Sequence, residues 1–291
     1  MKPAAFDYLR AASADEAVAA LAERGEDARI LAGGQSLLPV LNMRLASPAL
    51  LIDISRCKPL DRVDVEAGAW HVGAAATQAR LEWHPDLAAQ QPLLAEALPH
   101  VAHFQIRNRG TVCGSVAHAD PSAELPLALV ALGGEVLLRS AKRRRTLGAE
   151  AFFTGMLTTA RGADEMVEAV RFPAREVGAG YAFEEFALRH GDFAACAVAV
   201  VARPQSIRVA IGGVADRPTA RELPADLRGA ALDDALDELA WSFDARDDAL
   251  VSAQLRRHLV RRLGRRAAER ARRALSEQSA RRALTEQASK A

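Results

Sequence analysis

Apolar residues at helical spacing open the chain: Ala17, Val18 and Leu21 mark one face of an amphipathic helix over residues 14–24. Ser13 or Asp15 stands ready to cap its start, and Gly25 ends it. A short apolar run at 29–32 then enters Gly33-Gly34, and after Gln35-Ser36 a second helix is expected over 37–44, with Pro39 tolerated in its first turn. A strand pattern follows at 49–54, so the first part reads as helix, strand, glycine turn, helix, strand. Residues 69–76 predict a strand. Residues 77–103 predict a helical region interrupted by Pro85, Pro92 and Pro99. Between 105 and 117 the small and hydroxylated residues suit a backbone that comes close to something rather than one packed in a core. A helix capped by Asp120 with Pro121 at its first position should stop at Gly133-Gly134, followed by strands at 135–139 and 166–172. Strands at 182–188, 194–202 and 206–211 predict a small antiparallel sheet, with helices at 231–241 and from 249 onward. Pro, two Gly and mixed charge at 173–180 mark a domain boundary.

Composition narrows the class. The 291 residues are 50% hydrophobic and 26% charged, which excludes a disordered or fibrous chain and leaves room for about two domains of ~150 residues. Cys57, Cys113 and Cys196 lie far apart with no Cys-x-x-Cys spacing, which argues against zinc, an iron–sulfur cluster or a disulfide framework and fits a reducing cytoplasm. The first ten residues carry Lys2, Asp7 and Arg10, so no signal peptide is expected, and no uncharged run approaches the ~20 residues of a membrane span. Net charge is +1, yet from Arg256 onward twelve Lys and Arg face three Glu. Without interleaved aromatics this basic tail predicts a solvated helix or an acidic protein partner in preference to nucleic acid.

Neither Gly-x-x-x-x-Gly-Lys-Ser/Thr nor Gly-x-Gly-x-x-Gly occurs, but the chemistry of phosphate binding is offered twice. Gly33-Gly34 lies between a strand and a helix start, where free N–H groups converge, and Thr111 to Ser115 brings hydroxyls and small side chains before another helix start. Two cradles in one chain suggest a diphosphate held between two subdomains. Ser36 and Ser115 lack a nucleophile elbow. His100 and His103 have no acidic or cysteine companion in sequence, so no metal is assigned. His118, beside Asp120, is either a proton relay or a hydrogen-bonded structural residue; Cys113 is either a redox thiol or an inert small residue.

These residues carry a resemblance. Leu31-Ala32-Gly33-Gly34-Gln35-Ser36-Leu37-Leu38-Pro39 with Leu50-Leu51-Ile52-Asp53-Ile54 resembles the first FAD loop of the medium subunits of molybdenum hydroxylases, the carbon monoxide dehydrogenase and xanthine dehydrogenase group. Gln105-Ile106-Arg107-Asn108 and Thr111-Val112-Cys113-Gly114-Ser115-Val116-Ala117-His118-Ala119-Asp120-Pro121-Ser122-Ala123-Glu124 resemble its second FAD loop. Ile211-Gly212-Gly213-Val214-Ala215-Asp216-Arg217-Pro218 and Ala253-Gln254-Leu255-Arg256-Arg257-His258-Leu259 resemble its C-terminal domain.

The resemblance implies an α+β protein: a two-part FAD-binding domain at 1–175 (about 1–56 and 57–175), then a smaller α+β domain at 176–291 with an antiparallel sheet and a basic helical tail. It implies that Ala32, Gly33, Gly34, Gln35 and Ser36, with Thr111, Val112, Cys113, Gly114 and Ser115, hold the FAD pyrophosphate and neighbouring groups. Glu124 would bond the flavin's sugar-alcohol chain, Ala102 and Val167 would pack near the cofactor, and His118 would lie near the flavin. The family commonly has Gly where Cys113 stands, so a strained turn is expected there, and Lys where Glu185 stands, so no cation is expected from that strand. The implied role is electron transfer in a heteromeric complex. A large subunit would carry the molybdopterin cofactor, a small subunit two [2Fe-2S] clusters, and this chain would pass electrons to an external acceptor. A non-catalytic scaffold of the same fold and a nucleic-acid-binding protein are the alternatives.

Overall fold

The computed structural model describes residues 2–288, with side chains to residue 280; Lys290 and the side chains of Arg281, Arg282 and Glu286 lie outside this range. The chain begins β1 (Asp7–Arg10), α1 (Ala14–Arg24), β2 (Ala28–Leu31), α2 (Leu37–Asn42) and β3 (Leu50–Asp53). Next come β4 (Val63–Glu66), β5 (Ala69–Gly73) and the short helices α3 (Gln78–Glu82), α4 (Leu87–Gln90), α5 (Pro92–Ala97), α6 (Phe104–Arg107) and α7 (Val112–His118). After α8 (Glu124–Ala131) follow β6 (Glu135–Arg139), β7 (Arg144–Gly148), α9 (Ala149–Phe152), β8 (Phe153–Gly155), β9 (Thr158–Thr159) and β10 (Met166–Pro173). The last stretch holds β11 (Gly180–Phe186), β12 (Cys196–Ala202), β13 (Ser206–Gly212), β14 (Thr219–Pro224), α10 (Gly229–Trp241) and α11 (Ala253–Ala288).

Two compact units result. The first comprises residues up to Pro85, Ala102–Asp120 and Gly133–Ala174; the second comprises Asp86–Val101, Pro121–Leu132 and the chain from Arg175.

In the first unit, β1-β3-β2 form a parallel sheet and β4-β5-β10-β6-β7 an antiparallel one. Helix α1 starts as its sequence directs: Ser13 Oγ accepts the Glu16 N–H and Glu16 reaches back to the Ala12 N–H, a reciprocal cap. Gly25 closes it at φ +55°. Strand β3 is central and wholly buried, whereas β1, Asp-Tyr-Leu-Arg, is largely exposed and shows no apolar alternation, which is why the hydrophobic pattern passes over it. Trp70, Phe152, Phe153 and Phe172 fill the core around the antiparallel sheet.

The second unit is built on the antiparallel sheet β11-β12-β13-β14. All seven residues of β12 are buried, alternate ones among the side chains of α10 and α11, with α8 against β12 and β13. Helix α8 begins at Glu124, with Ala123 as an N-cap that offers no side-chain bond, rather than at Asp120-Pro121. Gly180 lets β11 touch α11: a Cβ there would stand 1.9 Å from the Ala271 carbonyl oxygen. Arg256 is buried and donates to the carbonyls of Ala195 and Gly213, and Gly213 in turn donates to Pro121, so the Gly212-Gly213 and Arg256 motifs lock sheet to helices.

Four arginines of the basic tail find acids within the second unit. Arg261 and Arg265 pair with Asp237 and Asp233 of α10, Arg266 with Glu184, and Arg270 with both Glu96 and Glu184. No helix among the described residues is long and apolar enough to cross a membrane.

Candidate functional site

Strand β2 ends at Leu31, whose carbonyl accepts the Ile54 N–H at 3.0 Å; the chain then turns through Ala32–Ser36 into α2. Gly34 turns at φ +73°, a conformation that disfavours any side chain, and the Gln35 amide folds back onto the Gly33 carbonyl at 2.9 Å. Among the described residues the backbone N–H groups of Gly33, Gly34, Gln35 and Ser36 meet no acceptor. Four free donors in consecutive residues, half-buried except for exposed Ser36, make a nest for an anion.

The second expected loop lies against the first. A Cβ on Gly33 would be 2.1 Å from the Arg109 carbonyl oxygen and 2.7 Å from Gly110 Cα, so the two backbones touch and only glycine fits. Gly110 is fixed from behind: its carbonyl accepts the Gln78 N–H at 2.8 Å, Thr111 bridges Thr77, and the Val112 N–H reaches the Ala76 carbonyl at 3.2 Å. Gln78 is 5% exposed, and its amide oxygen is buried beneath Gly110 with no donor.

From Thr111 onward the segment is a helix rather than an open turn. Thr111 caps α7, its Oγ1 accepting the Gly114 N–H at 3.0 Å, while Ser115 donates to the Thr111 carbonyl at 3.1 Å. The Val112, Gly114 and Ser115 N–H groups are therefore spoken for, while those of Thr111 and Cys113, like the four of the first loop, meet no acceptor among the described residues. Cys113 sits in the first turn of α7, outside the residues of positive φ, so the strain expected there is absent. Its thiol donates to the Val72 carbonyl at 3.3 Å, and burial pushes its pKa well up, which removes it from thiolate chemistry.

Other expected residues fall as follows. Ala102 takes a left-handed φ of +43° and is half-buried. His118 ends α7, half-buried, ahead of Ala119 at φ +54°, whose carbonyl accepts the N–H of Leu157, itself at φ +52°. Val167 is buried in β10 beside a register shift. Glu124, 7% exposed, opens α8 in the second unit. Near it His100 faces Glu185 at 3.6 Å. Donation of the His100 ring N–H to the Glu185 carboxylate raises the His100 pKa despite burial, and Glu124 adds to the effect. Composition gave no sign of the bidentate pair Arg107–Glu82, 2.7 and 3.0 Å long and 25 residues apart in sequence; only its place in the Gln-Ile-Arg-Asn motif marked Arg107. Among the described residues no group of three or more His, Cys, Asp or Glu could hold a metal.

Residues 4–175 match the model of the FAD-binding domain in molybdopterin dehydrogenase, and 181–271 that of the CO dehydrogenase flavoprotein C-terminal domain. The chain belongs to this flavoprotein family. The family's chains are oxidoreductase subunits, and this one is an FAD-binding medium subunit of the molybdenum hydroxylase type. The chain is 37% identical to the caffeine dehydrogenase subunit beta of Pseudomonas sp. (strain CBB1), over 93% of its own length and 96% of that protein's. It is 36% identical to the carbon monoxide dehydrogenase medium chain of Afipia carboxidovorans, over 94% and 98%. Among solved structures, reconstituted CO dehydrogenase from Oligotropha carboxidovorans superposes with a TM-score of 0.89 at 33% identity, covering 94% of this chain and all of that one. Quinoline 2-oxidoreductase from Pseudomonas putida 86 gives 0.87 at 33%, over 94% and 100%. An FAD suits the cradle: a pyrophosphate needs several N–H donors and a close backbone, which the free groups of 33–36 and the glycine contact at Gly33 provide.

Proposed function

We propose that this chain is the FAD-carrying electron-transfer subunit of a heteromeric molybdenum hydroxylase. In that complex it would take electrons from [2Fe-2S] clusters on a small partner subunit, fed by a molybdopterin cofactor on a large one, and hand them to an external acceptor in the cytoplasm. The observation that supports this best is the joining of four unpaired N–H groups at Gly33–Ser36 to the Arg109–Gly110 backbone in a contact that admits no side chain.

In this reading residues 32–36 hold the pyrophosphate by backbone donation, and Thr111, Val112, Cys113, Gly114 and Ser115, the second stretch of the family motif, hold it and its neighbouring groups from the other side. Ala102, His118 and Val167 border the cofactor, and Glu124 bonds its sugar-alcohol chain; these four roles follow the family motif. When bound, FAD supplies the two-electron and one-electron redox steps, and the protein supplies position and electrostatics. The three cysteines are buried thiols, and in this reading the protein's part is to bind and orient the flavin.

The test is direct. The purified full chain, stripped of flavin and titrated with FAD, is expected to regain the flavin's visible absorption, to melt at higher temperature and to be photoreduced with the flavin bound. A chain that neither binds FAD nor gains stability from it sinks the proposal, and one that binds but cannot be reduced supports a scaffold instead.

A further inference from the structure

We infer that Arg107, paired with Glu82, is the positioning residue that sets the spacing between the two backbone segments of the FAD cradle. This rests on the functional reading above.

The Arg109–Gly110 peptide is held in place by both ends of α3. One end of α3 is tied to it through backbone: Gln78 N–H donates to the Gly110 carbonyl, and Thr77 bridges Thr111. At the other end of α3, Glu82 receives Arg107 Nε at 2.7 Å and Nη2 at 3.0 Å, a fork that fixes the guanidinium in plane as well as in distance. Arg107 closes α6, and the N–H groups of Arg109 and Gly110 both return to the Ile106 carbonyl of that helix, at 3.1 and 2.6 Å. The peptide on which Gly33 rests is thus clamped from two sides, by main chain through Gln78 and by side chain through Glu82–Arg107.

The same guanidinium reaches a second point of the site. Arg107 Nη1 donates to the Ala102 carbonyl at 3.3 Å, and Ala102 holds a φ of +43° that an alanine adopts only when its surroundings insist. One side chain, 8% exposed, therefore fixes both the strained turn at Ala102 and the height of the Gly110 turn. A clearance of 2.1 Å at Gly33 leaves no slack, so any shift of α6 changes how the four free N–H groups of the first loop converge. Lysine keeps the charge but cannot reproduce the fork, and glutamine leaves the half-buried Glu82 without its partner.

The experiment compares FAD dissociation constants and apo-protein melting temperatures of the full chain, unsubstituted and as R107K, R107Q, E82Q and E82Q/R107Q, with E165Q as a reference that removes another buried ion pair of the same unit. FAD affinity is expected to fall about tenfold in R107K and more in R107Q, with the double variant no weaker than R107Q because the pair acts as one unit. E165Q is expected to lower the melting temperature while keeping FAD affinity within about twofold. If the unsubstituted chain binds no FAD, the functional reading falls. If it binds and R107K binds equally well, or if E165Q loses affinity in proportion to its own loss of melting temperature, the positioning role falls; should R107Q fail to fold, R107K alone decides.

Discussion

Gly33→Ala is the most demanding substitution the structure offers, because it adds one methyl group at the point where two backbones meet. That methyl would lie 2.1 Å from the Arg109 carbonyl oxygen, whereas carbon and oxygen settle at about 3.3 Å, so the segments must part by more than about 1 Å. Overpacking of this kind costs about 1–3 kcal/mol of stability. The larger effect falls on the ligand: charge-assisted hydrogen bonds contribute about 1.5–3 kcal/mol each, and losing one or two raises the FAD dissociation constant roughly ten- to hundredfold or more. Fluorescence titration of the apo-protein with FAD measures this, with Gly133→Ala as companion: Gly133 has a positive φ, which Gly33 does not, but a Cβ there meets nothing within 4 Å. The companion should lose a little stability and no affinity. Should Gly33→Ala bind FAD within about twofold of the unsubstituted chain, the loops do not form the cradle and the reasoning is wrong.

Three further outcomes are expected. Gly180→Ala, whose methyl would stand 1.9 Å from the Ala271 carbonyl oxygen, should lower the melting temperature of the second unit by pushing α11 off β11, and differential scanning calorimetry will show it. Glu165, its side chain 2% exposed, is held at a pKa of about 2 chiefly by the hydrogen bond from Arg145, against an ordinary value of 4.5. A carboxylate with a depressed folded-state pKa stabilises at neutral pH and loses that contribution as acid protonates it, so up to roughly 3 kcal/mol should disappear as pH falls from 4.5 toward 2. Urea unfolding across that range should be markedly flatter in Glu165→Gln; equal slopes would remove the effect. Burial raises the pKa of Cys57, Cys113 and Cys196 alike, so Ellman's reagent should leave all three untouched in the native chain and titrate them after denaturation.

The parts legible in the sequence are those whose determinants are local. Ser13, Glu16 and Gly25 bound α1 by short-range hydrogen bonding and by a turn that glycine takes freely, and the apolar run at Cys196–Ala202 becomes a strand buried throughout. The glycine turn at Gly33-Gly34 was readable as a run of free N–H donors because its chemistry is backbone chemistry. Where partners are distant, pattern fails. Strands β1, β7 and β14 carry mostly charged or exposed residues, and only pairing with a buried neighbour makes them strands. Residues 111–117 read as an open loop since small residues signal close approach, yet Thr111 at the N-cap with Gly114 three positions on turns them into a helix. The basic tail reads in sequence as a solvated helix or a site for an acidic partner because the counter-charges of Arg261, Arg265, Arg266 and Arg270, namely Asp237, Asp233, Glu184 and Glu96, are spread over three remote stretches.

The interlock at Gly33 also constrains how such a protein changes over time. Residues near 33 and near 109–110 are expected to vary together, since a side chain gained on one loop demands retreat of the other. A chimera that imports the first loop from a relative should work only when the second travels with it, and the pair therefore behaves as a single heritable module although some 75 residues separate its halves.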